Sequence, residues 1–298
     1  MKAAPDIAII GPGKVGSAIA VLAAKAGYRI ASIGARDRRT ATRAAATIKG
    51  RPVVEDIPTA AASAQIVLLS VTDSAIQPLC DELAGMGAFT PGCIVAHCCG
   101  ALGSDILHSA KELCSCRIAS MHPLQTFPSA QAAVKSMKGA HFFCEGDASA
   151  VSALKKLIRA IGGQAVELAG AAVNPRAKAL YHASACIASN YLVALMDAAL
   201  ATAQLAGLPA DQAWAGLEKL VLATLNNIST VGPADALTGP IARGDVATVK
   251  KHLDALAGNK ELTGLYRAMG RWTVQLASRK GSIDKPTIRR LSALFGQR

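Results

Sequence analysis

The chain has 298 residues, 51% hydrophobic and 17% charged, with a formal net charge of +12. That length suffices for about two domains, each with its own core, and the composition excludes general disorder. The basic residues are spread along the chain and only 4% of residues are aromatic, which speaks against nucleic-acid binding and for a surface that attracts an anionic cofactor and substrate.

The first element is the apolar run 7–10, which suits a strand buried on both faces. It breaks into Gly11-Pro12-Gly13-Lys14-Val15-Gly16, a GxGxxG between a strand and a predicted helix over 14–26 that Gly27 ends. Gly11 permits the tight turn, Gly13 lets a pyrophosphate approach the backbone, and Gly16 lets helix and sheet pack closely. The free N–H groups and positive dipole end of that helix suit a diphosphate. A second strand over 29–33 leads into Gly34-Ala35-Arg36-Asp37-Arg38-Arg39. An NAD-preferring site usually holds a carboxylate there for the ribose 2′-OH. Here Arg36 follows two small residues, which suits a 2′-phosphate and favours NADP over NAD; the alternative is a solvated basic helix start. Asp37 is the one nearby carboxylate and is free to cap the next helix.

Further strands fit 52–54, 66–71, 93–97, 117–121, 140–144 and 164–168, and helices fit 37–48, 74–85, 103–113, 130–136 and 148–161. This alternation predicts an α/β fold, a doubly wound parallel sheet of Rossmann type covered on both faces. After Leu168 the strand signal stops. The stretch 174–205 reads as one long helix entered at Pro175, followed by helices over 210–229, 246–257, 261–279 and 284–295. The expected division is therefore an α/β domain over 1–170 and an all-α domain over 171–298. The longest uncharged stretch, 179–196, contains His182, Ser184, Ser189 and Asn190, so a buried helix is expected rather than a membrane span. Eight cysteines without a secretory signal point to reduced thiols and a cytoplasmic setting.

Ligands of open parallel sheets bind at the carboxyl ends of the strands. Three such ends carry polar groups: Ser70-Val71-Thr72-Asp73, where Asp73 can cap the next helix while the backbone of 70–72 faces the cofactor; Ala96-His97-Cys98-Cys99-Gly100-Ala101; and Ser120-Met121-His122-Pro123-Leu124-Gln125-Thr126-Phe127. A fourth cluster lies on the long helix, where Lys178 and His182 are four residues apart and Cys186, Ser189 and Asn190 continue the face. Lys178 can point into a cleft or snorkel to solvent, and His182 can be a site residue or a satisfied core histidine. His97, Cys98, Cys99, His108, Cys114, Cys116 and His122 cluster in sequence, but without a CxxC pair, so no metal site is expected.

Together with these segments, Leu237-Thr238-Gly239-Pro240-Ile241-Ala242-Arg243-Gly244-Asp245 makes the chain resemble the Rossmann-like/DUF2520 family of NADP oxidoreductases. That family is more distantly similar to ketopantoate reductase, pyrroline-5-carboxylate reductase and the β-hydroxyacid dehydrogenases. The resemblance covers nearly the whole chain. It implies an N-terminal NADP domain, a helical C-terminal domain that dimerises, and a catalytic Lys on the first long helix. Lys178 matches that Lys, and His182 stands where the relatives have Asn. His122-Pro123 resembles the His-Pro that prephenate dehydrogenases place near the nicotinamide. The expectation is an NADP-dependent reductase of a small carbonyl or imine substrate, a 2-oxo or imino acid, with ketopantoate reduction the single best guess. In it, Lys178, His182 and His122 carry catalysis. Gly11 to Gly16, Arg36, Ser70, Val71, Thr72 and His97 bind cofactor. Gln125, Asn190 and Arg243 bind substrate, while Asp245 caps a helix or pairs with Arg243. The alternative is a non-catalytic NADPH-binding sensor. A homodimer is the expected assembly, with neither nucleic acid nor membrane as partner.

Overall fold

The computed structural model describes residues 4–169 and 176–296. It contains an eight-stranded sheet: β1 (Ile7–Ile10), β2 (Ile30–Gly34), β3 (Val53–Glu55), β4 (Ile66–Leu69), β5 (Ile94–His97), β6 (Arg117–Pro123), β7 (His141–Gly146) and β8 (Gln164–Glu167). The strand order is β3-β2-β1-β4-β5-β6-β7-β8. The connections reverse direction between β1 and β4, which is where such a sheet opens a ligand crevice. Helices α1 (Lys14–Lys25), α2 (Arg38–Thr47), α3 (Ile57–Ala62), α4 (Asp73–Gly85), α5 (His108–Cys114), α6 (Ala130–Ser136) and α7 (Ala148–Ala160) cross over between strands.

The central strands are buried along their whole length because both faces are covered: Ile7, Ile9, Ile33, Leu68 and Ala96 face one apolar core, and Ala8, Ile10, Val67, Leu69 and Val95 the other. This is why they read as continuous apolar runs. All eight expected strands are present. The expectation of a fully parallel sheet is corrected at one point: β6 and β7 pair antiparallel, while β7 and β8 are parallel to each other. The β6–β7 connection holds only the short helix α6, so the chain returns beside β6 in the opposite sense. Helix α3 was not legible in advance. It is six residues long, capped by Asp56 and entered at Pro58, too short to show a period.

The second half is helical: α8 (Ala177–Ala188), α9 (Asn190–Leu205), α10 (Ala210–Ala236), α11 (Gly239–Ala242), α12 (Val246–Leu256), α13 (Lys260–Lys280) and α14 (Lys285–Leu294). The expected helix start at Asn174 and Pro175 lies outside the described residues. The single long helix is divided at Ser189, the C-cap of α8, where φ is −119° and ψ −67°. Helix α10 runs past its expected end and kinks at Gly232, with φ 77° ahead of Pro233. By contacts, residues 1–190 form one compact unit and 191–298 another. Helix α8 thus goes with the sheet, since its Lys178 is buried there. The second unit has its own core of Ile241, Val249, Leu253, Val274, Leu291 and Phe295.

Candidate active site

The turn after β1 is built for close approach. Gly11 has φ +81°, and a Cβ there would lie 2.5 Å from Val71 Cγ1. A Cβ on Gly13 would meet nothing nearer than the Ser70 carbonyl oxygen at 4.0 Å, so the turn is open on that side. Ser70, at the end of β4, donates its hydroxyl to the Gly11 carbonyl at 2.7 Å and braces the turn from across the crevice. Pro12 is buried, and its carbonyl accepts from the Ser17 hydroxyl at 2.9 Å. Helix α1 starts with no side-chain cap and no acidic residue in its first turn, and Lys14 is exposed there. Its first N–H groups and its dipole are therefore available to an anion. Val15 is half-buried; Thr72 is exposed at the start of α4. Gly11 to Gly16 with Ser70 and Val71 fit a dinucleotide pyrophosphate.

The end of β2, where the acid is missing, is sterically tight. A Cβ on Gly34 would stand 3.1 Å from both Ala60 Cβ and Ile10 Cδ1, so a side chain there would require these neighbours to give by a few tenths of an ångström. Arg36 is exposed just beyond. Asp37 is the N-cap of α2: it accepts from the Thr40 hydroxyl at 2.8 Å and from the Arg39 N–H at 3.0 Å. Those bonds hold its carboxyl below the usual carboxylate range.

The reversed strand β7 creates the second part of the site. Its register pairs Ser120 with Glu145 and His122 with Phe143. Residues i and i+2 share a face, so these four side chains form one patch. Helix α8 lies on it with matching spacing. Lys178 is 3% exposed, and its Nζ donates to Ser120 Oγ at 2.5 Å and lies 3.5 Å from Glu145 Oε1. Three residues on, the Tyr181 hydroxyl is 2.7 Å from His122 Nδ1, and its ring lies 4.5 Å from that of Phe143. One residue further, the His182 ring meets His122 edge-on at 5.6 Å. Glu145 is anchored by the Ser104 N–H at 2.9 Å and the Ser104 hydroxyl at 2.7 Å.

Desolvation sets the protonation states. Burial pushes His122 down to about 4, assisted by the Lys178 charge. Burial pushes the Tyr181 phenol up. Burial also pushes Lys178 down, against the opposing pull of Glu145. Gly100 lets these rings reach the end of β5: a Cβ there would clash with His182 Nδ1 and lie 2.8 Å from His122 Nε2. His182 Nδ1 is buried without a hydrogen-bond partner among the described residues. A group that costs this much to leave unpaired marks a place where a bound molecule can supply the missing bond.

Other expected residues fall elsewhere. His97 is fully buried; its Nε2 is 3.0 Å from the Gly103 carbonyl and its Nδ1 accepts from the Cys99 N–H at 3.1 Å. Both ring nitrogens are spent on backbone, so its ring shapes the loop after β5 and offers nothing to a cofactor. Burial pushes it to about 4. Gln125 is exposed, and its Oε1 accepts from the Thr126 N–H at 2.8 Å. Asn190 is exposed at the first residue of α9. Arg243 is exposed after α11 in the second unit, where Asp245 caps α12 through Thr248. The described residues contain no cluster able to hold a metal ion. Sequence reasoning placed Ser120 at a polar strand end without a role and missed Glu145 and Tyr181. A signal existed for Glu145: a lone Lys on an apolar helix needs a counter-charge, and Glu145 is the one acid in a Phe- and Cys-bearing strand.

A glycine turn at the β1–β4 switch point and a polar patch at the β5–β6 ends define a Rossmann-type nucleotide-binding unit with an adjoining polar site. Residues 2–123 match the model of the Rossmann-like domain, and residues 140–273 match that of the domain of unknown function DUF2520. The chain therefore carries a Rossmann-like domain followed by a DUF2520 domain. No curated protein matches the sequence. Among solved structures, it is similar to a Bacteroides fragilis protein provisionally described as an NADP oxidoreductase, at 20% identity and TM-score 0.69, over 89% of this chain and 96% of that one. A Thermotoga maritima protein is similar at 23% identity and TM-score 0.67, over 92% and 99%. An imine reductase from a Pseudomonas species is similar at 16% identity and TM-score 0.61, over 96% and 99%. At these identities the likeness establishes the fold.

Proposed function

We propose that the protein is an NADPH-dependent reductase of a small C=N or C=O substrate, an imino or 2-oxo acid. The observation that carries this reading is the shared sheet edge. The open, uncapped glycine turn at β1 and the His122–Tyr181–His182 cluster beside β6 belong to one unit. Gly11 to Gly16 would hold the pyrophosphate, Arg36 the 2′-phosphate, and Ser70 to Thr72 the adjoining wall. NADPH, when bound, supplies the hydride. Four of the similar structures are named as imine reductases or reductive aminases, and one as a pyrroline-5-carboxylate reductase, which supports C=N substrates beside ketopantoate in a first panel. Within the sheet-bearing unit, Gln125 and Asn190 are exposed and are proposed contacts for a substrate carboxylate.

The partner is proposed to be a second copy of the chain, in the cytoplasm. Helix α9 has no buried residue and α10 buries only Ala213, while Tyr191, Val193, Trp214, Leu220 and Leu222 are exposed. Apolar surface on that scale is what an assembly interface covers. The run Ala177–Leu205 is long and apolar enough to cross a membrane by length and composition. Its Lys178 is pinned to Ser120 and Glu145 of the sheet, which argues against a span. All eight cysteines are free, in keeping with a reducing compartment.

The test is fluorescence titration with NADPH and NADH, then NADPH oxidation with cyclic imines and 2-oxo acids, ketopantoate included. Binding with turnover is the expected result. Tight NADPH binding with no turnover on any substrate would replace the reductase by a sensor. Sedimentation at micromolar concentration checks the dimer, and a monomer would remove it.

A further inference from the structure

Lys178 is the residue that position and charge single out, yet its ammonium is turned into the protein. It is bound to Ser120 and paired with Glu145 at 3% exposure. The groups left to act are one helical turn on. The Tyr181 hydroxyl sits 2.7 Å from His122 Nδ1, and His122 Nε2 faces the end of β5 at Gly100. The same register that sets Ser120 beside Glu145 sets His122 beside Phe143, so the Lys178 contact and the Tyr181 contact lie on one face of the sheet.

We propose that Tyr181 and His122 are the proton-supplying pair of the reaction and that Lys178 with Glu145 is the clamp that positions them. This rests on the reductase reading above. With the phenol donating to Nδ1, His122 carries its own proton on Nε2. Reduction at the substrate carbon moves the C=X electron pair onto X, which needs a proton. The Nε2–H bond breaks and an X–H bond forms. The Tyr181 O–H bond breaks as its proton moves to Nδ1, leaving His122 neutral in its other tautomer. The tyrosinate takes a proton from water, and ring exchange with solvent restores the Nε2–H form. Burial keeps the Tyr181 phenol protonated across the neutral range and disfavours its ionisation, so its proton passes to Nδ1 only in concert with the breaking of the Nε2–H bond.

The clamp follows from the cost of buried charge. Removing one partner strands the other, whereas removing both is often tolerated. Glu145→Gln and Lys178→Met should each lower the melting temperature and turnover, and the double variant should regain most of both. If Lys178 is the acid, the double variant recovers stability but stays as inactive as Lys178→Met, and the proposal fails. Tyr181→Phe should lower kcat by about 100-fold, in the range general acid catalysis supplies, with the NADPH Kd unchanged; a kcat within about threefold of wild type overturns the pair. A readout free of turnover is the imidazole nitrogen spectrum of His122. The wild type should show the Nε2–H tautomer at pH 7, and Tyr181→Phe should change the tautomer balance. An identical spectrum in both proteins would remove the hydrogen bond on which the relay depends. A wild type that neither binds nor oxidises NADPH would sink the reductase reading and the catalytic role with it. A wild type that turns over beside an unimpaired Tyr181→Phe would sink the pair alone.

Discussion

Gly16→Ala tests the nucleotide turn most directly. A Cβ at residue 16 would overlap the Ser70 hydroxyl and stand 3.0 Å from Ser70 Cβ and 3.1 Å from the Gly11 carbonyl oxygen. The hydroxyl can swing aside, but only by giving up its 2.7 Å bond to that carbonyl, which costs about 1 kcal/mol. The remaining tight contacts cost about 1–3 kcal/mol, as overpacking generally does. Alanine's better helix propensity returns about 1 kcal/mol. The net loss is about 1–3 kcal/mol, or roughly 3–10 °C in melting temperature for a unit of this size. The carbonyl that moves belongs to the turn proposed to seat the pyrophosphate, so NADPH affinity should fall about tenfold, equivalent to about 1.4 kcal/mol. Ser70→Ala placed on top of Gly16→Ala removes the worst overlap and should recover part of both losses. Scanning calorimetry and NADPH fluorescence titration of the three variants read the result. An unchanged Kd and melting temperature in Gly16→Ala would refute the close approach of α1 to β4.

Arg36→Ala should weaken NADPH by about tenfold or more, the worth of a charge-assisted hydrogen bond of about 1.5–3 kcal/mol, and leave NADH nearly untouched; equal losses for both cofactors would refute the 2′-phosphate contact. His97 and His122 are each pushed down to about 4 by burial, so the unfolded chain binds their protons from about pH 6.5 downward while the folded chain does not. Stability should be full above pH 6.5 and fall as pH drops toward 4, by up to about 1.4 kcal/mol per pH unit for each such group. Urea midpoints between pH 7 and 5 should show that slope, and His97→Gln should flatten it; a level wild-type profile would count against neutral burial of these rings. Burial pushes the Cys144 thiol up to about 12, so it should resist alkylation at pH 8 until urea unfolds the protein, as peptide mass mapping will show.

The Rossmann half was legible because its determinants are local. Buried parallel strands advertise themselves as runs such as Ile7–Ile10 and Ile66–Leu69, and the glycine turn has fixed spacing. The direction of β7 was not legible, because His141–Gly146 has the same composition whichever way it runs. Glu145 and Tyr181 were hidden with it. Their partners Ser104, Ser120, Lys178 and His122 are distant in sequence, and only the β6–β7 register brings them together. His97 misled for a related reason. A polar residue at a strand end looks exposed to ligand, but here the next loop folds back, so that Cys99 and Gly103 take both ring nitrogens.

Lys178 shows how burial changes the chemistry that a residue type suggests. In sequence, an isolated Lys on an apolar helix invites two readings, a solvated tail or a reactive ammonium. The structure selects neither, because a buried ammonium is tolerable only when paired and hydrogen-bonded, and Glu145 and Ser120 meet both conditions. With the ammonium so satisfied at 3% exposure, its proposed role is to hold the helix turn bearing Tyr181 and His182. What faces outward is then a set of polar rings, one with a buried nitrogen still unpaired. On the proposal made above, this surface would protonate the substrate through the Tyr181–His122 hydrogen bond, with the anchored Lys178–Glu145 pair beneath it supplying position.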